Sequence, residues 1–375
     1  MGFEAAIFFD RWTELPSSFW AVVFFTVGCC IGSFLNVCIH RMPLGQSIVS
    51  PPSHCPHCQY SIPAYLNIPL VTWLMLRGRC RNCGAGISIR YFLVELLTGV
   101  AFAACWLRVG EAAPAVAVVY AILVAGLITA SFIDLGHYII PDEITKGGIG
   151  VGLLCSFFVP ALHGQTTAAG GLVLALIGAA AGAGVIYTVV RVGKLLFGRQ
   201  KIALPPDARI IFTEDGLVLP DGKMPFEEIF YRPSDTIVVD ARRVEMVDRC
   251  YADAVVRLSP QRLRIGDDEF DPATVLHLEA VADRLVLPRE AMGLGDVKFM
   301  AAIGAFLGWQ AVVFTLFASA VLGTIGGGLT LLRRRGEGPR VIPYGPYIAL
   351  AAVLWMFFGP QLLAGYFAWM RITAK

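Results

Sequence analysis

The chain contains 375 residues, of which 56% are hydrophobic and only 15% are charged. Its mean hydropathy of +0.66 is rare in a soluble protein. Repeated long apolar runs instead indicate membrane spans, each of which needs about 20 residues. We therefore expect the lipid bilayer to surround much of the chain. The net charge of +2 gives no reason to expect a nucleic-acid partner, because the charges are divided between regions.

The start of the chain does not resemble a cleaved signal peptide. Glu4 and Asp10 precede the first apolar run, whereas a signal peptide begins with a basic region. We therefore expect residues 1–17 to be a short tail in front of a retained first span.

The apolar runs predict eight transmembrane helices, and thus an all-α polytopic membrane protein. The predicted spans are residues 18–39, 91–108, 113–133, 147–162, 169–197, 297–309, 311–332 and 343–370. The fourth and sixth are short, which tilting or local thinning of the bilayer can accommodate. Arginine and lysine are concentrated after the first, fifth and seventh spans, so these loops should be cytoplasmic and both termini should lie outside.

The first cytoplasmic loop carries two Cys-x-x-Cys pairs. The four cysteines are Cys55, Cys58, Cys80 and Cys83. Two such pairs predict a tetrahedral four-thiolate zinc site with a structural role. Disulfides are the alternative, but they are rare in a reducing compartment. His54 and His57 are close enough in sequence to be rival ligands, although we expect them to be exposed neighbours.

Residues 199–290 differ from the rest of the chain. They hold 18 of the 28 acidic residues and 13 basic residues. Runs such as "DTIVVDARRVEMV" are typical of strands bounded by turn residues. This region should be a small, soluble, β-rich domain on the cytoplasmic side. The predicted segments are a tail (1–17), the first span (18–39), a cytoplasmic zinc-binding domain (40–90), spans two to five (91–198), the inserted domain (199–290), and a GxGD loop with three spans (291–375).

Two aspartates are predicted to reach the same membrane depth from distant parts of the sequence. Asp134 closes the third span and Asp296 opens the sixth, both at the cytoplasmic edge. Two carboxyl groups that share a site can divide acid and base roles, as in aspartic proteases. Gly293 and Gly295 would allow unusual backbone angles and a close approach of substrate. The alternative is that Asp296 is only a helix N-cap.

Four further polar residues lie near or within these spans, and each has a structural explanation to weigh against a functional one. Asp142 and Glu143 should cap the fourth span and supply its first-turn acids. Lys298 follows the GxGD loop on a different helix face from Asp296. Glu95 is a charge within a span, and thus either a functional residue or a buried partner of a basic group such as Arg90.

These stretches together resemble bacterial type IV prepilin peptidases. The resemblance rests on "GSFLNVCIHRMP", the paired Cys-x-x-Cys, "NIPLVTWLMLRGRCRNC", "RYFLVELLTG", "FIDLGHYIIPD", "GLGDVK" and "IPYGPYIAL". These motifs follow the family's order along nearly the whole chain, apart from the region 199–290. The family consists of bifunctional leader peptidases and N-methyltransferases of the GxGD group of membrane aspartic proteases.

The resemblance implies a function for several residues. Asp134 and Asp296 would be the catalytic pair, Gly293, Gly295 and Lys298 would form the active-site loop, and the four cysteines would hold zinc. The substrates would be type IV prepilins or type II secretion pseudopilins, cut at the cytoplasmic face of the bacterial inner membrane. S-adenosylmethionine is implied as methyl donor, without assigned residues. The insert at 199–290 departs from the family's pattern. From its place just before the GxGD loop we hypothesise that it docks or gates substrate, or binds a cytoplasmic partner; a tolerated surface domain is the alternative.

Two other functions compete with this one. The first is a GxGD protease that cuts other membrane segments, against which the cysteine loop and "GSFLNV" argue. The second is a proton-coupled transporter, which would place its carboxylates near the membrane midplane. The predicted aspartates lie at one edge.

Overall fold

The computed structural model describes residues 15–197, 199–220, 222–230, 235–275, 277–288, 293–333 and 343–373. Most of the predicted N-terminal tail and part of the predicted last cytoplasmic loop, including Arg334, Arg335 and Arg340, therefore lie outside the described residues. The chain divides into two units. One unit comprises the residues up to Ile186 and from Leu294 onward, and the other comprises Tyr187–Gly293.

Helices dominate the first unit. In chain order the α-helices are α1 Ser17–Arg41, α2 Val71–Met75, α3 Ile89–Cys105, α4 Pro114–His137, α5 Asp142–Phe158, α6 Ala168–Phe197, α7 Phe226–Ile229, α8 Leu294–Arg333 and α9 Gly345–Thr373. A π-helical turn, Trp106–Gly110, extends α3. Pro114 is the first residue of α4, a position where its missing N–H costs nothing.

Six helices of the described chain are long and apolar enough to cross a membrane. They are α1, α3, α4, α6, α8 and α9. The helix α5 has 17 residues and falls short of a full span. The predicted sixth and seventh spans lie within α8, where Gly308 alone has a non-helical backbone (φ 79°, ψ 173°). The polytopic helical character is thus confirmed, with six candidate spans by length and composition.

Glycines allow the helices of this unit to approach closely. A Cβ on Gly28 of α1 would lie 2.8 Å from the Cα atom of Gly99 in α3. A Cβ on Gly178 of α6 would overlap the carbonyl group of Gly304 in α8. Small residues at such contacts permit the backbone packing that drives helix association in lipid. Gly182 of α6 makes a second close contact with α8, because a Cβ there would overlap the carbonyl group of Met300.

The predicted β-rich region is an eight-stranded antiparallel sheet. Its strands are β1 Arg199–Phe212, β2 Gly216–Leu219, β3 Gly222–Pro225, β4 Ile237–Met246, β5 Cys250–Ser259, β6 Arg262–Ile265, β7 Asp268–Phe270 and β8 Leu278–Pro288. The order across the sheet is β3-β2-β1-β8-β4-β5-β6-β7. The long strand β8 therefore returns to pair between β1 and β4.

The sheet encloses its own apolar core. Alternate side chains are buried, for example Ala254, Val256 and Leu258 on β5. Buried residues from β1, β2, β4, β5, β6 and β8, with Ile229 of α7, form one hydrophobic cluster. A single sheet can bury such a cluster only by curling around it. The last turn of α6 adds an ion pair of 2.8 Å between Lys194 and the buried Asp235.

Candidate active site and metal site

Asp134 is a buried carboxylate in the last turn of α4. Only 6% of the residue is exposed. The helix ends three residues later, at His137. The next residue, Tyr138, adopts a left-handed conformation, and its N–H donates to the carbonyl of Asp134. Oδ2 of Asp134 accepts a hydrogen bond of 2.8 Å from the backbone N–H of Gly345, the first residue of α9. The carboxylate is therefore held between the end of one long helix and the start of another.

Gly345 is a residue that the sequence argument did not single out. A Cβ at this position would lie 2.8 Å from Oδ2 of Asp134 and 3.3 Å from Cδ1 of Ile140. The lack of a side chain is thus what brings the backbone donor against the carboxylate. The available signal was a glycine next to Pro346 at the start of an apolar helix, directly after Tyr344.

Asp296 lies in the first turn of α8 and is half-buried. The helix begins at Leu294, so Asp296 is inside it and is not its N-cap. The expectation of unusual backbone angles at Gly295 is wrong, because this residue is already helical. A Cβ on Gly295 would make ordinary contacts of 3.6 to 3.8 Å with Ile140. Gly293 is exposed and precedes the helix.

The two aspartates share neighbours. Ile140 packs against Gly295, beside Asp296, and against Gly345, which contacts Asp134. The charge of Asp296 also acts on the hydroxyl of Tyr344, which is hydrogen-bonded to Ser319 of α8 at 3.0 Å. Of the adjacent residues Tyr344 and Gly345, Gly345 is therefore hydrogen-bonded to Asp134, and Tyr344 is within electrostatic reach of Asp296.

Lys298 contacts a third carboxylate. Its Nζ lies 2.5 Å from Oδ1 of Asp142, and Lys146 lies 2.7 Å from Oδ2 of the same residue. The hydrogen bonds from Lys146 and from Lys298 lower the pKa of the Asp142 carboxyl. Asp142 is the first residue of α5 and follows the N-cap, Pro141, so it is a first-turn acid and not a cap. The ion pair ties the start of α5 to the start of α8.

The four cysteines form a compact cluster. Their Sγ atoms all lie within 4.8 Å of one another, and no other residue of the described chain joins the group. The sulfurs of Cys55 and Cys83 are 3.8 Å apart, and those of Cys58 and Cys80 are 4.0 Å apart. Zn–S bonds of about 2.3 Å in a tetrahedron place sulfurs about 3.8 Å apart. This cluster could hold a metal ion.

The two Cys-x-x-Cys turns have the same local structure. Gln59 and Gly84, each four residues after the first cysteine of its pair, are left-handed (φ 57° and 71°). Each turn is closed by a bridge, His54 with Ser61 and Arg79 with Gly86. The side chain of His54 bonds to the carbonyl of Pro52 at 3.0 Å and is not part of the cluster. This short structural repeat was not predicted.

Hydrogen bonds favour the ionised form of two of these thiols. A hydrogen bond from the side chain of Asn82 and, to a smaller extent, one from the backbone N–H of Tyr60 lower the pKa of Cys58 to about 6. Backbone N–H groups of Cys83 and Asn82 lower the pKa of Cys80. Thiolates are the form in which cysteine binds metal.

Glu95 is a buried residue of α3, 9% exposed, that supports the cysteine loop. Its Oε2 accepts a hydrogen bond of 2.8 Å from the N–H of Leu70, which is held in a left-handed conformation (φ 62°). The hydroxyl of Ser33 also bonds to Glu95. Arg90 instead lies over the ring of Tyr91. Glu95 therefore binds backbone and hydroxyl donors.

Two family models match the chain. The bacterial peptidase A24 N-terminal domain matches residues 26–109, and the type IV leader peptidase family matches residues 121–204 and 273–328. The second match omits residues 205–272, which hold strands β2 to β7. The gap thus removes most of the sheet while keeping Asp134 and Asp296 inside matched segments.

Relatives with known names agree with these matches. A prepilin leader peptidase/N-methyltransferase of Myxococcus xanthus is 49% identical over 151 residues, which are 39% of this chain and 44% of the relative. Enzymes of the same name from Aeromonas hydrophila and Stutzerimonas stutzeri are 29% and 27% identical, over 94% and 92% of this chain and 95% and 93% of theirs. No solved structure matches the chain.

The fold and the site define a multi-pass α-helical membrane protein that carries a sheet region and a four-cysteine cluster. Within that class, the two family matches together cover well over half of the chain. The chain belongs to the type IV leader peptidase family.

Proposed function

We propose that this chain is a membrane aspartic endopeptidase that removes the leader from type IV prepilins or pseudopilins, with Asp134 and Asp296 as its catalytic pair. One observation carries the assignment of the pair. Asp134 and Asp296 are 162 residues apart in the sequence, yet Ile140 lies against Gly345, which contacts Asp134, and against Gly295, the neighbour of Asp296. The names of the relatives support the leader peptide as substrate.

The chemistry needs only the two carboxyl groups and water. When two such groups share a site, one ionises readily and the other keeps its proton. The ionised group takes a proton from water, whose oxygen attacks the scissile carbonyl carbon. The protonated group donates to the carbonyl oxygen. As the C–N bond breaks, the first carboxyl group gives the proton that it took from water to the leaving amine. The second group recovers its proton from a hydroxyl of the tetrahedral intermediate, and the pair returns to its starting state.

Eight spans and the predicted sidedness form part of this proposal. Six candidate spans become eight in two steps. The helix α8 is counted as two spans, one on each side of Gly308, and the 17-residue helix α5 is counted as a short span. The distribution of basic residues supports a cytoplasmic location for residues 40–90 and 199–290 and for the aspartate pair. The proposal retains the six predicted segments and places the protein in the bacterial inner membrane.

We assign a structural zinc ion to the cysteine cluster. The sulfur separations fit a tetrahedral Zn–S₄ site, and four thiolates leave no open position for chemistry. Metal analysis of the purified protein should give one zinc per chain, lost in Cys80→Ser. Full zinc occupancy in that variant would contradict the assignment.

The second activity in the relatives' names is N-methyl transfer. S-adenosylmethionine, when bound, supplies an electrophilic methyl group on a sulfonium ion. The new N-terminal amine of the cut pilin is the acceptor that this activity requires.

The sheet is proposed as a module that docks or gates the substrate. It precedes Asp296 closely in the sequence, since β8 ends at Pro288, and it lies mostly outside the family match. Replacing residues 204–286 by a short linker should change the relative cleavage rates of several pilin substrates. Equal rates for all of them would show that the sheet is dispensable for substrate choice.

Leader cleavage in detergent tests the main proposal. Wild type, Asp134→Asn and Asp296→Asn would each be mixed with a prepilin, and the released leader would be measured by mass spectrometry. Both substitutions should abolish cleavage while the proteins keep their zinc and their helical content. Cleavage that survives in either variant would remove that aspartate from the mechanism.

A further inference from the structure

A cavity of about 380 Å³ lies beside the second half of α1, and neither aspartate of the pair lines it. One wall comes from α1, with Cys30, Ser33 and Phe34, and Arg41 lies at the end of that helix. The opposite wall comes from the loop that carries the cysteine cluster and includes Pro52. The volume is within the range of sites for small molecules, about 300 to 1,000 Å³.

Two buried charges of opposite sign adjoin this cavity. Arg41 lines it and is 9% exposed, and among the described residues its guanidinium makes one hydrogen bond, to the carbonyl of Ser47 at 3.0 Å. Glu95 lies directly behind the wall, because it bonds to Ser33, which lines the cavity, and to the N–H of Leu70. The peptidase mechanism uses neither charge, although an unused buried charge is costly.

A ligand that fits this cavity carries both a cation and an anion on an apolar body. A guanidinium binds a carboxylate through two parallel hydrogen bonds. A carboxylate just behind the wall stabilises a positive charge in the cavity, because screening is weak at a buried site. Phe34 and the prolines of the loop offer flat apolar surface for an aromatic ring.

We propose that this cavity is the binding site for the sulfonium methyl donor, S-adenosylmethionine. Arg41 holds the carboxylate of the donor, and Glu95 supplies the negative charge that favours its cationic end. The assignment rests on the proposed function, since it deepens the methyl-transfer activity named for the relatives. Phe34 lines the cavity and is also exposed on α1, so an acceptor that arrives within the membrane meets the site along this helix.

Two related probes separate the contributions of charge and shape. S-adenosylmethionine carries a sulfonium ion, whereas S-adenosylhomocysteine has a neutral sulfur on the same frame. Calorimetry with the full-length protein in detergent should show that Glu95→Gln weakens binding of the first probe about tenfold, as for one charge-assisted contact. Binding of the second probe should change little. Arg41→Gln should weaken both probes, and the exposed Arg191→Gln should weaken neither.

A measurement on the wild-type protein covers the case in which these variants do not fold. Cys30 lines the cavity and is exposed, and Cys250 is an exposed thiol in the sheet. Saturating S-adenosylmethionine should slow alkylation of Cys30, followed by mass spectrometry, and leave Cys250 unchanged. Equal alkylation of Cys30 with and without the donor would overturn the proposal.

The same preparation also distinguishes failure of this inference from failure of the proposed function. Wild-type protein that cleaves a prepilin leader but shows no protection of Cys30 would refute the donor site and leave the peptidase intact. Protection of Cys30 in a protein that never cleaves a leader would do the reverse. Weaker binding of either probe to Arg191→Gln would also count against the site, because Arg191 is an exposed residue of α6 that does not line the cavity.

Discussion

The helices of this protein meet through glycines, whereas its strands meet through alternating apolar side chains. In the helical unit, large hydrophobic residues such as Phe317 and Leu107 are well exposed, so hydrophobicity does not mark the buried face. In the sheet, alternation on β5 and β8 marks the buried face residue by residue. In a membrane, apolar residues face both lipid and protein, so they do not indicate which side of a helix is buried. The small and polar residues then make the specific contacts between helices.

Buried carboxylates illustrate the same contrast. Asp134 in the helical unit accepts a backbone N–H, which a glycine brings within reach. Asp235 in the sheet unit is 2% exposed and is paired with the ammonium of Lys194. The first arrangement leaves the charge of the carboxyl available for chemistry, and the second neutralises it.

The largest expected effect comes from a methyl group at Gly345. Gly345→Ala places a Cβ 2.8 Å from Oδ2 of Asp134 and forces the carboxylate to move. A displacement of about 1 Å in a catalytic group can cost a hundredfold in rate. We expect leader cleavage by this variant to fall about a hundredfold or more, measured as the initial rate in detergent.

Gly365→Ala is the matched control, because Gly365 lies in the same helix and a Cβ there would contact nothing within 4 Å. Its cleavage rate should equal that of the wild type. If Gly345→Ala also cut the leader at the wild-type rate, the contact between Gly345 and Asp134 would be irrelevant to the working enzyme.

The second prediction concerns the ion pair of the sheet unit. Lys194→Met removes the ammonium that lies 2.8 Å from Asp235 and leaves a carboxylate with only 1% of its side chain exposed. Such a loss should cost about 3 kcal/mol in the free energy of unfolding. Thermal unfolding in detergent measures it. Lys223→Met, whose partner Asp215 is exposed, should change the stability far less.

A loss of stability in Lys223→Met as large as that in Lys194→Met would mean that burial does not distinguish the two pairs. The buried pair of Lys194 and Asp235 would then contribute no more to stability than an exposed pair.

The third prediction tests the glycine contacts between helices. Gly28→Ala puts a Cβ 2.8 Å from the Cα atom of Gly99, and α1 and α3 must separate to accommodate it. Overpacking of this kind costs about 2 kcal/mol. The midpoint of thermal unfolding should fall, whereas Gly126→Ala, with open space around it, should leave it unchanged. An unchanged midpoint for both variants would show that the helices can adjust freely.

The sequence predicted the elements better than their contacts. Helices, the β-rich region and the cysteine cluster follow from hydropathy, alternation and spacing, which are local properties. The partners of Lys298 and Asp134 could not be predicted, because Asp142 and Gly345 lie 156 and 211 residues away in the chain. The span count also differed at α5, whose 17 residues begin with the acidic Asp142 and Glu143, and at α8, which holds both the predicted sixth and the predicted seventh span.

The smallest expected effect comes from the surface of the sheet, where three strands are irregular at the same level. The pairing of β8 shifts between Ala203 and Ala208 of β1 and near Ala241 of β4. Arg242 bridges Asp207 and Asp283 across these bulges, at 2.9 Å and 2.5 Å. All three side chains are exposed, so the pairs are screened by water and salt.

Arg242→Gln should therefore lower the free energy of unfolding by less than about 1 kcal/mol, and added salt should reduce the difference further. Unfolding curves at low and high ionic strength measure both effects. A loss as large as that in Lys194→Met would mean that the exposed network, rather than the apolar core, holds the bulges in register. The sheet would then depend on polar contacts as the helical unit does.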